Sequence, residues 1–358
     1  MLELRNIAKT VGADTHIHAT DLAFERGTLN VLLGPTLSGK TSLMRLMAGL
    51  DRPTSGTIHF DGVDVTGMPV QKRNVAMVYQ QFINYPAFTV YENIASPMRI
   101  SGKDAATIDR EVRKAADLLR LTPYLDRTPL NLSGGQQQRT ALARALVKNA
   151  SLVLMDEPLA NLDYKLREEL RAELPRIFAQ SGAIFVYATT EPSEALLLGG
   201  NTATLSEGRV TQFGPTISVY RTPRDLTTAK TFADPPLNFI DVVKAGATFQ
   251  RDGRGVFSVP GHLAGMADGP VTVAFHPHHL GLAAQTPGAV QLRARTQLSE
   301  ITGSESFVYL DYEGVRWVML AHGIHDIDPD TDIDVFLDGR HLMAFDTSGR
   351  AISSGATA

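Results

Sequence analysis

The sequence contains no cysteine. Disulfides, thiolate metal sites and cysteine nucleophiles are thereby excluded, and the composition is compatible with a reducing compartment. An excess of positive charge is also missing. Against 34 Lys and Arg stand 38 Asp and Glu, a net charge of −4, so no global basic field exists to hold a nucleic acid. No apolar run approaches the roughly 20 residues that span a bilayer. The opening MLELRNIAKT lacks the charged-then-apolar pattern of a secretion signal, so the chain is expected to reach a membrane only through partner proteins. What remains is ordinary for a globular protein. With 43% hydrophobic and 20% charged residues over 358 positions, there is material for two domains.

Residues 29–50 read as strand, glycine loop and helix. Leu29 to Leu33 is a continuous apolar run suited to a strand buried on both faces. Leu43, Leu46, Met47 and Leu50 then recur at helical spacing until Pro53 and Gly56 break the pattern. Further buried strands are expected at Leu152–Met155 and Ala183–Ala188, with a charged helix over 164–179 between them. Helical inserts are expected at 102–121 and 136–149. Strands alternating with helices predict a mostly parallel sheet covered on both faces. After about residue 235 the texture changes to short alternating runs, VTVAF at 271–275, SFVYL at 306–310 and VRWVML at 315–320, separated by turn residues. That pattern predicts a small β-sandwich or barrel, with Pro235-Pro236 as the stiff linker.

The segment Gly34, Pro35, Thr36, Leu37, Ser38, Gly39, Lys40, Thr41 satisfies G-x-x-x-x-G-K-[ST] in the strand-to-helix context that gives the pattern its meaning. Loop N–H groups and the helix N-terminus would point at phosphate oxygens, where the helix dipole favours negative charge. Lys40 would reach the β- and γ-phosphates of ATP, and the Thr41 hydroxyl would coordinate Mg²⁺. LVLMDE at 152–157 places two carboxylates directly after a buried strand, where ligands meet open parallel sheets. Asp156 suits the Mg²⁺ site, and Glu157 suits a base that polarises an attacking water.

LSGGQ at 132–136, extended as LSGGQQQR, resembles the signature motif of the ABC ATPases. The resemblance covers essentially the whole chain and implies an α/β P-loop NTPase: a RecA-like core with a helical subdomain at about 85–150 inside residues 1–235, then a small all-β OB-like (TOBE-type) regulatory domain over 236–358. It implies that Ser133, Gly134, Gly135 and Gln136 act on nucleotide bound to an opposing subunit. Gln80 in MVYQQF matches the Q-loop glutamine, a Mg²⁺ contact, and YPAFTVYENI at 85–94 resembles the segment that receives a permease helix. LANLD at 159–163 resembles the D-loop, with Asp163 near the dimer seam. FHPHHL at 275–280 resembles an arginine-proline-glutamate-histidine segment of maltose-type importers. The subfamily energises uptake of sugars, glycerol phosphate and polyols, and within it the chain looks most like an ATPase subunit of a bacterial glycerol importer.

The expected nucleotide-binding set is therefore residues 34–42, ending at Ser42, with Gln80 and Val11. Three positions depart from the family pattern. Val11 stands where an aromatic residue usually stacks on adenine, and such a platform is worth about 1–3 kcal/mol per base elsewhere. Leu37 stands where the loop usually has glycine, although leucine disfavours positive φ. Thr190, in Thr189-Thr190-Glu191, replaces the switch histidine; a hydroxyl is shorter than an imidazole and carries no charge. An intact signature beside a weakened site of its own predicts one half of a heterodimeric ATPase pair. The implied partners are a second, non-identical ABC ATPase, two membrane permeases and, indirectly, a periplasmic solute-binding protein, with the chain at the cytoplasmic face of the bacterial inner membrane. The alternatives are a non-hydrolysing regulatory module, which Thr190 keeps open, and a soluble ABC ATPase outside transport, which usually carries a long coiled-coil insertion or two cassettes that this sequence lacks. His276, His278 and His279 lack the spaced carboxylate or cysteine set of a metal site.

Overall fold

The computed structural model describes residues 1–352 apart from 161, 285 and 287, with 179 and 180 described only as backbone. The chain divides into two compact units, Met1–Val219 and Tyr220–Ala358.

The first unit is built on two sheets. A four-stranded antiparallel sheet pairs β1 (Leu2–Val11) with β2 (Asp14–Phe24) and with β4 (Ser55–Phe60), and β5 (Val63–Asp64) extends it. The second sheet runs in the order β10 (Arg209–Pro215), β9 (Asn201–Ser206), β3 (Leu29–Leu33), β8 (Ile184–Thr189), β7 (Leu152–Asp156), β6 (Val75–Val78). All of its neighbours are parallel except β10 with β9. Every residue of β3, β7 and β8 is buried, which is why these strands read as unbroken apolar runs rather than alternations. Helix α1 (Lys40–Ala48) puts Leu43, Met44, Leu46 and Met47 into the core shared with both sheets.

Between β6 and β7 lie α2 (Val90–Ile100), α3 (Ala105–Leu118) and α4 (Gly134–Val147), which pack on one another. Their starts are chemically marked. Thr89 caps α2 in a reciprocal pairing with Glu92, Asp104 caps α3, and Ser133 pairs reciprocally with Gln136 at α4. Each cap satisfies donors that the first helical turn leaves free. Helix α5 (Tyr164–Ser181) follows β7 and α6 (Pro192–Leu198) follows β8.

The division between the units falls in α7 (Thr216–Arg221), ahead of the expected boundary at Pro235-Pro236. The physical reason is the packing of the intervening segment. Ala229, on α8 (Leu226–Thr231), and Leu237 share a small core with Ala274 and Phe345 of the C-terminal sheets, and Asp225 bridges to Arg350. The proline pair therefore lies inside the second unit.

That unit is all-antiparallel and OB-like. One sheet orders β13 (Arg254–Ser258), β12 (Thr248–Arg251), β11 (Asn238–Ala245), β14 (Gly269–Phe275) and β20 (Met343–Phe345). The other orders β15 (Leu280–Gly281), β19 (Asp332–Leu337), β16 (Val290–Ile301), β17 (Glu305–Tyr312) and β18 (Val315–His322). The only tryptophan, Trp317, is fully buried between them. Its Nε1 donates to the Phe239 carbonyl at 3.1 Å, and its ring meets those of Tyr312 and Phe275. An indole buried this deeply needs such an acceptor.

Candidate functional site

The parallel sheet of the first unit presents the carboxyl ends of β3, β7 and β8 on one side, the position where open α/β sheets bind ligands. A cavity of about 530 Å³ lies there, lined by Thr36 to Ser42, Gln80 and Glu157, and also by Thr15, His16, Glu207 and Gly208.

The loop's shape depends on its glycines. A Cβ on Gly34 would lie 2.4 Å from the Leu205 carbonyl oxygen and 2.6 Å from the Ser38 hydroxyl, so the chain passes there only without a side chain. Gly39, at φ 104, forms the N-cap of α1 with no side-chain cap, leaving the first N–H groups of the helix directed into the cavity mouth. Leu37 sits at φ 67 with its side chain 95% exposed. The left-handed conformation is thus imposed on a residue that disfavours it, at a cost of roughly 1–2 kcal/mol. The Ser38 hydroxyl is buried without a partner among the described residues.

Lys40 is buried, and its ammonium donates to the carbonyls of Gly34 at 2.7 Å and Pro35 at 3.0 Å. Burial lowers its pKa, against the opposing pull of Glu157 and Asp156. Thr41 Oγ1 donates to Asp156 Oδ2 at 2.7 Å. Asp156 is itself buried, and burial raises its carboxyl pKa despite the Thr41 bond and Lys40. Glu157 receives a 3.0 Å hydrogen bond from the Gln80 amide. Burial, then the nearby Asp156, Glu194 and Glu191 charges, raise its pKa, while Lys40 pulls the other way. A raised carboxylate pKa makes a better proton acceptor at neutral pH. Its backbone is held at φ 46, and its N–H donates to the Ala188 carbonyl.

Among the described residues no group of three or more His, Cys, Asp or Glu is arranged to hold a metal. The oxygen donors present, Thr41, Asp156 and Gln80, match a hard ion such as Mg²⁺, which takes few protein ligands and completes its sphere with phosphate and water.

Other expected residues lie elsewhere. Val11 ends β1, half-exposed and outside the cavity lining; Thr15 and His16 of β2 are what that hairpin brings to it. Thr190 is exposed at the end of β8 and is not part of the lining. Its corner is rigid. Buried Glu194 accepts from Tyr187, Thr189 and Arg171, and Arg171 also binds Glu191 at 2.7 Å. None of Ser133 to Gln136 lines the cavity. Ser133 and Gly134 are exposed, and a Cβ on Gly134 would meet nothing within 4 Å. Asp163 is an exposed N-cap of α5, accepting from the Leu166 N–H; Asn161 of the same segment lies outside the described residues. Buried Gln138 donates to the Pro158 carbonyl at 2.7 Å and so joins α4 to the chain just after Glu157. His16, Glu207 and Gly208 carry no sequence signal for this site; only the sheet topology brings them to it.

A family model described as ABC transporter matches residues 17–160. The chain is 35% identical to the trehalose/maltose import ATP-binding protein of Thermococcus litoralis, covering 98% of this chain and 99% of that one. It is 34% identical to an sn-glycerol-3-phosphate import ATP-binding protein of Rhizobium meliloti, again over 98% and 99%. The dimeric ABC transporter cassette MJ0796 superposes with a TM-score of 0.57 at 26% identity, covering 60% of this chain and 99% of the cassette. Since the full-length relatives match through the C-terminal unit as well as the nucleotide core, the chain belongs to the ABC transporter family, among its ATP-binding, ATP-hydrolysing subunits.

Proposed function

We propose that this chain powers an importer for a sugar or polyol, with glycerol the first solute to test, as one half of a pair with a second, non-identical ABC ATPase. The pair sits on two permease subunits at the cytoplasmic face of the bacterial inner membrane, served by a periplasmic solute-binding protein. The observation that carries the pairing is the separation of the signature segment from the chain's own phosphate loop: Gly134 is exposed and open, and no residue of 133–136 lines the loop's cavity. A helix start with free space beside a glycine suits a phosphate presented by another chain. The non-identical partner rests on Thr190 and Val11, both outside that cavity lining.

The names of the relatives support the solute class, since they describe importers of trehalose/maltose and sn-glycerol-3-phosphate. No helix among the described residues is long and apolar enough to cross a membrane. Docking is supported by the region expected to receive a permease helix. A cavity of about 230 Å³ is lined there by Tyr85, Pro97, Ile100, Arg144 and Lys148, flanked by exposed Ile83 and Phe88. Exposed apolar groups clustered around a groove are a common mark of a protein contact.

In the ATP site the loop N–H groups and Lys40 bind the β- and γ-phosphates. Glu157 accepts the proton of the water whose oxygen attacks the γ-phosphorus, and the bond to ADP breaks. Thr41, Asp156 and Gln80 would hold a Mg²⁺ ion, which would neutralise phosphate charge. Purification of the assembled complex from membranes tests the proposal. Co-purifying permeases and a second ATPase are expected; a complex with two copies of this chain and no other ATPase would refute the unequal pair. Solute uptake in cells lacking the chain tests the substrate.

A further inference from the structure

The C-terminal unit contains a second cavity, of about 460 Å³, within the size range of small-molecule sites. It lies wholly among residues numbered 220 and above, so it shares nothing with the ATP site. Its walls are rich in imidazole. The rings of His276 and His278 stack with centroids 5.4 Å apart, His278 and His279 approach to 4.2 Å, and His279 stacks on His341 at 4.3 Å. His262 completes the set, its Nε2 donating to the Leu342 carbonyl at 2.8 Å.

This cluster is poorly satisfied by the chain itself. His276 is 8% exposed, its ring packed against those of Tyr220 and His278. The Nδ1 of His279 is buried without a partner. Buried polar atoms normally find one, so this orphan calls for a missing group. The charged residues facing the cavity show which sign that group carries. Arg221 lines it and makes no ion pair among the described residues, and Arg340 lines it too. The nearest carboxylate, Asp338, is taken by Arg340 at 2.7 Å, and Tyr220 closes one side against the His276 ring. A metal is disfavoured, because no three of these side chains are arranged to share an ion. Rings that stack face to face turn their lone pairs past one another.

We propose that this cavity binds a phosphate group, carried by inorganic phosphate or a small phosphomonoester, through Arg221 and the N–H groups of His276, His278 and His279. The ligand supplies an acceptor oxygen for the orphaned His279 Nδ1 in its N–H form and negative charge for a guanidinium that makes no ion pair among the described residues. Binding is coupled to proton uptake. Burial, reinforced by the neighbouring imidazoles, pushes His276 down to about 4 and His279 down to about 3, and lowers His278 as well. The rings are therefore neutral at pH 7. An anion among them favours the imidazolium form, so affinity rises as the solution is acidified from neutrality.

The test follows the histidine ring NMR signals of the full-length chain from pH about 2.5 to about 8, with the phosphate loop filled by MgADP. His276 and His279 are assigned through single His→Gln variants. Inorganic phosphate or glycerol phosphate is expected to raise the titration midpoints of these two rings by about one unit or more, a tenfold preference for the protonated form. Tighter binding of the ester assigns the site to phosphomonoesters, and equal or weaker binding assigns it to free phosphate. Arg221→Gln, an exposed change that leaves folding intact by circular dichroism, is expected to weaken binding about tenfold. Midpoints unmoved in both arms, or equal binding by Arg221→Gln and His278→Gln, overturn the proposal. Saturable Zn²⁺ binding that shifts the same rings without phosphate would overturn it as well.

Discussion

Thr41 Oγ1 and Asp156 Oδ2 lie 2.7 Å apart across 115 residues of sequence, and their hydrogen bond ties the first turn of α1 to the end of β7. It joins two of the polar groups proposed to hold Mg²⁺ in the ATP site. It also keeps a buried carboxylate in one orientation at an energetic cost, since burial raises the Asp156 pKa.

That cost makes opposite effects of one substitution predictable. With a folded pKa above the unfolded one, Asp156 lowers stability as pH rises through that range and the fold carries the penalty at neutral pH. Asp156→Asn keeps an acceptor for Thr41 and removes the charge. The nucleotide-free chain is expected to unfold at a higher temperature, while Mg²⁺-dependent nucleotide affinity falls by about tenfold or more. Calorimetry and nucleotide titration with and without Mg²⁺ give the two readings; a loss of both stability and affinity would contradict this account.

Leu37 offers a backbone test. At φ 67, with the side chain 95% exposed, the residue contributes strain and almost no packing. Leu37→Gly is expected to stabilise the chain by up to about 1 kcal/mol, the relief of a left-handed leucine less the greater entropy of an unfolded glycine. Leu37→Ile, β-branched at the same φ, is expected to destabilise it by about 1 kcal/mol. Denaturant midpoints of the two variants decide, and the same sign for both would show that φ is not what matters.

Much of this was legible locally. The phosphate loop, β7 with its two acids and β8 announced themselves because continuous burial and short-range spacing leave a mark in the sequence. Leu37 in a glycine's place flagged the strain now seen at φ 67. The rest depends on contacts between distant segments. His16 reaches the cavity because β2 folds back on β1, and Glu207 and Gly208 arrive on the turn after β9. A proline pair reads as a linker, whereas the packing of Ala229 and Leu237 that puts it inside the second unit is invisible without Phe345. His276, His278 and His279 show no metal-site spacing in sequence, and only the fold brings His262 and His341 to the same cavity.

Gly134 separates a folding role from a role between chains. It opens α4, and among the described residues nothing beyond its chain neighbours and its own helix lies within 4 Å of where its Cβ would be. Gly134→Ala is therefore expected to stabilise the isolated chain by roughly 0.5–1 kcal/mol through helix propensity. Nucleotide affinity of the isolated chain is expected to stay unchanged. In the assembled transporter the methyl group is expected to meet the partner's nucleotide and ATPase activity to fall by about tenfold or more. Unaltered activity there would place the signature segment away from any nucleotide.

The two sites of the pair are expected to work unequally, and Thr190 with Glu157 tests this. Burial raises the pKa of Glu157 and so favours its role as a base, but Thr190, exposed just after β8 and outside the cavity lining, brings only a short neutral hydroxyl where an orienting imidazole is expected. If the site built on Lys40 is slow for that reason, Glu157→Gln lowers the steady-state ATPase rate of the assembled transporter by no more than about twofold, the share of one site in two. Thr190→His is expected to restore an orienting group on a corner already fixed by Glu194 and Arg171, raising turnover at this site about tenfold. In that background Glu157→Gln then becomes severe, on the order of 10²–10⁴, the usual worth of a positioned base. The Thr190→His enzyme is also expected to lose activity on acidification at a pH above the ordinary glutamate range, because the base is lost as pH falls through its raised pKa. Rates of the four combinations with the wild-type partner give the comparison. Abolition of turnover by Glu157→Gln in the native background would mean that Thr190 already orients the water, and that both sites fire in every cycle.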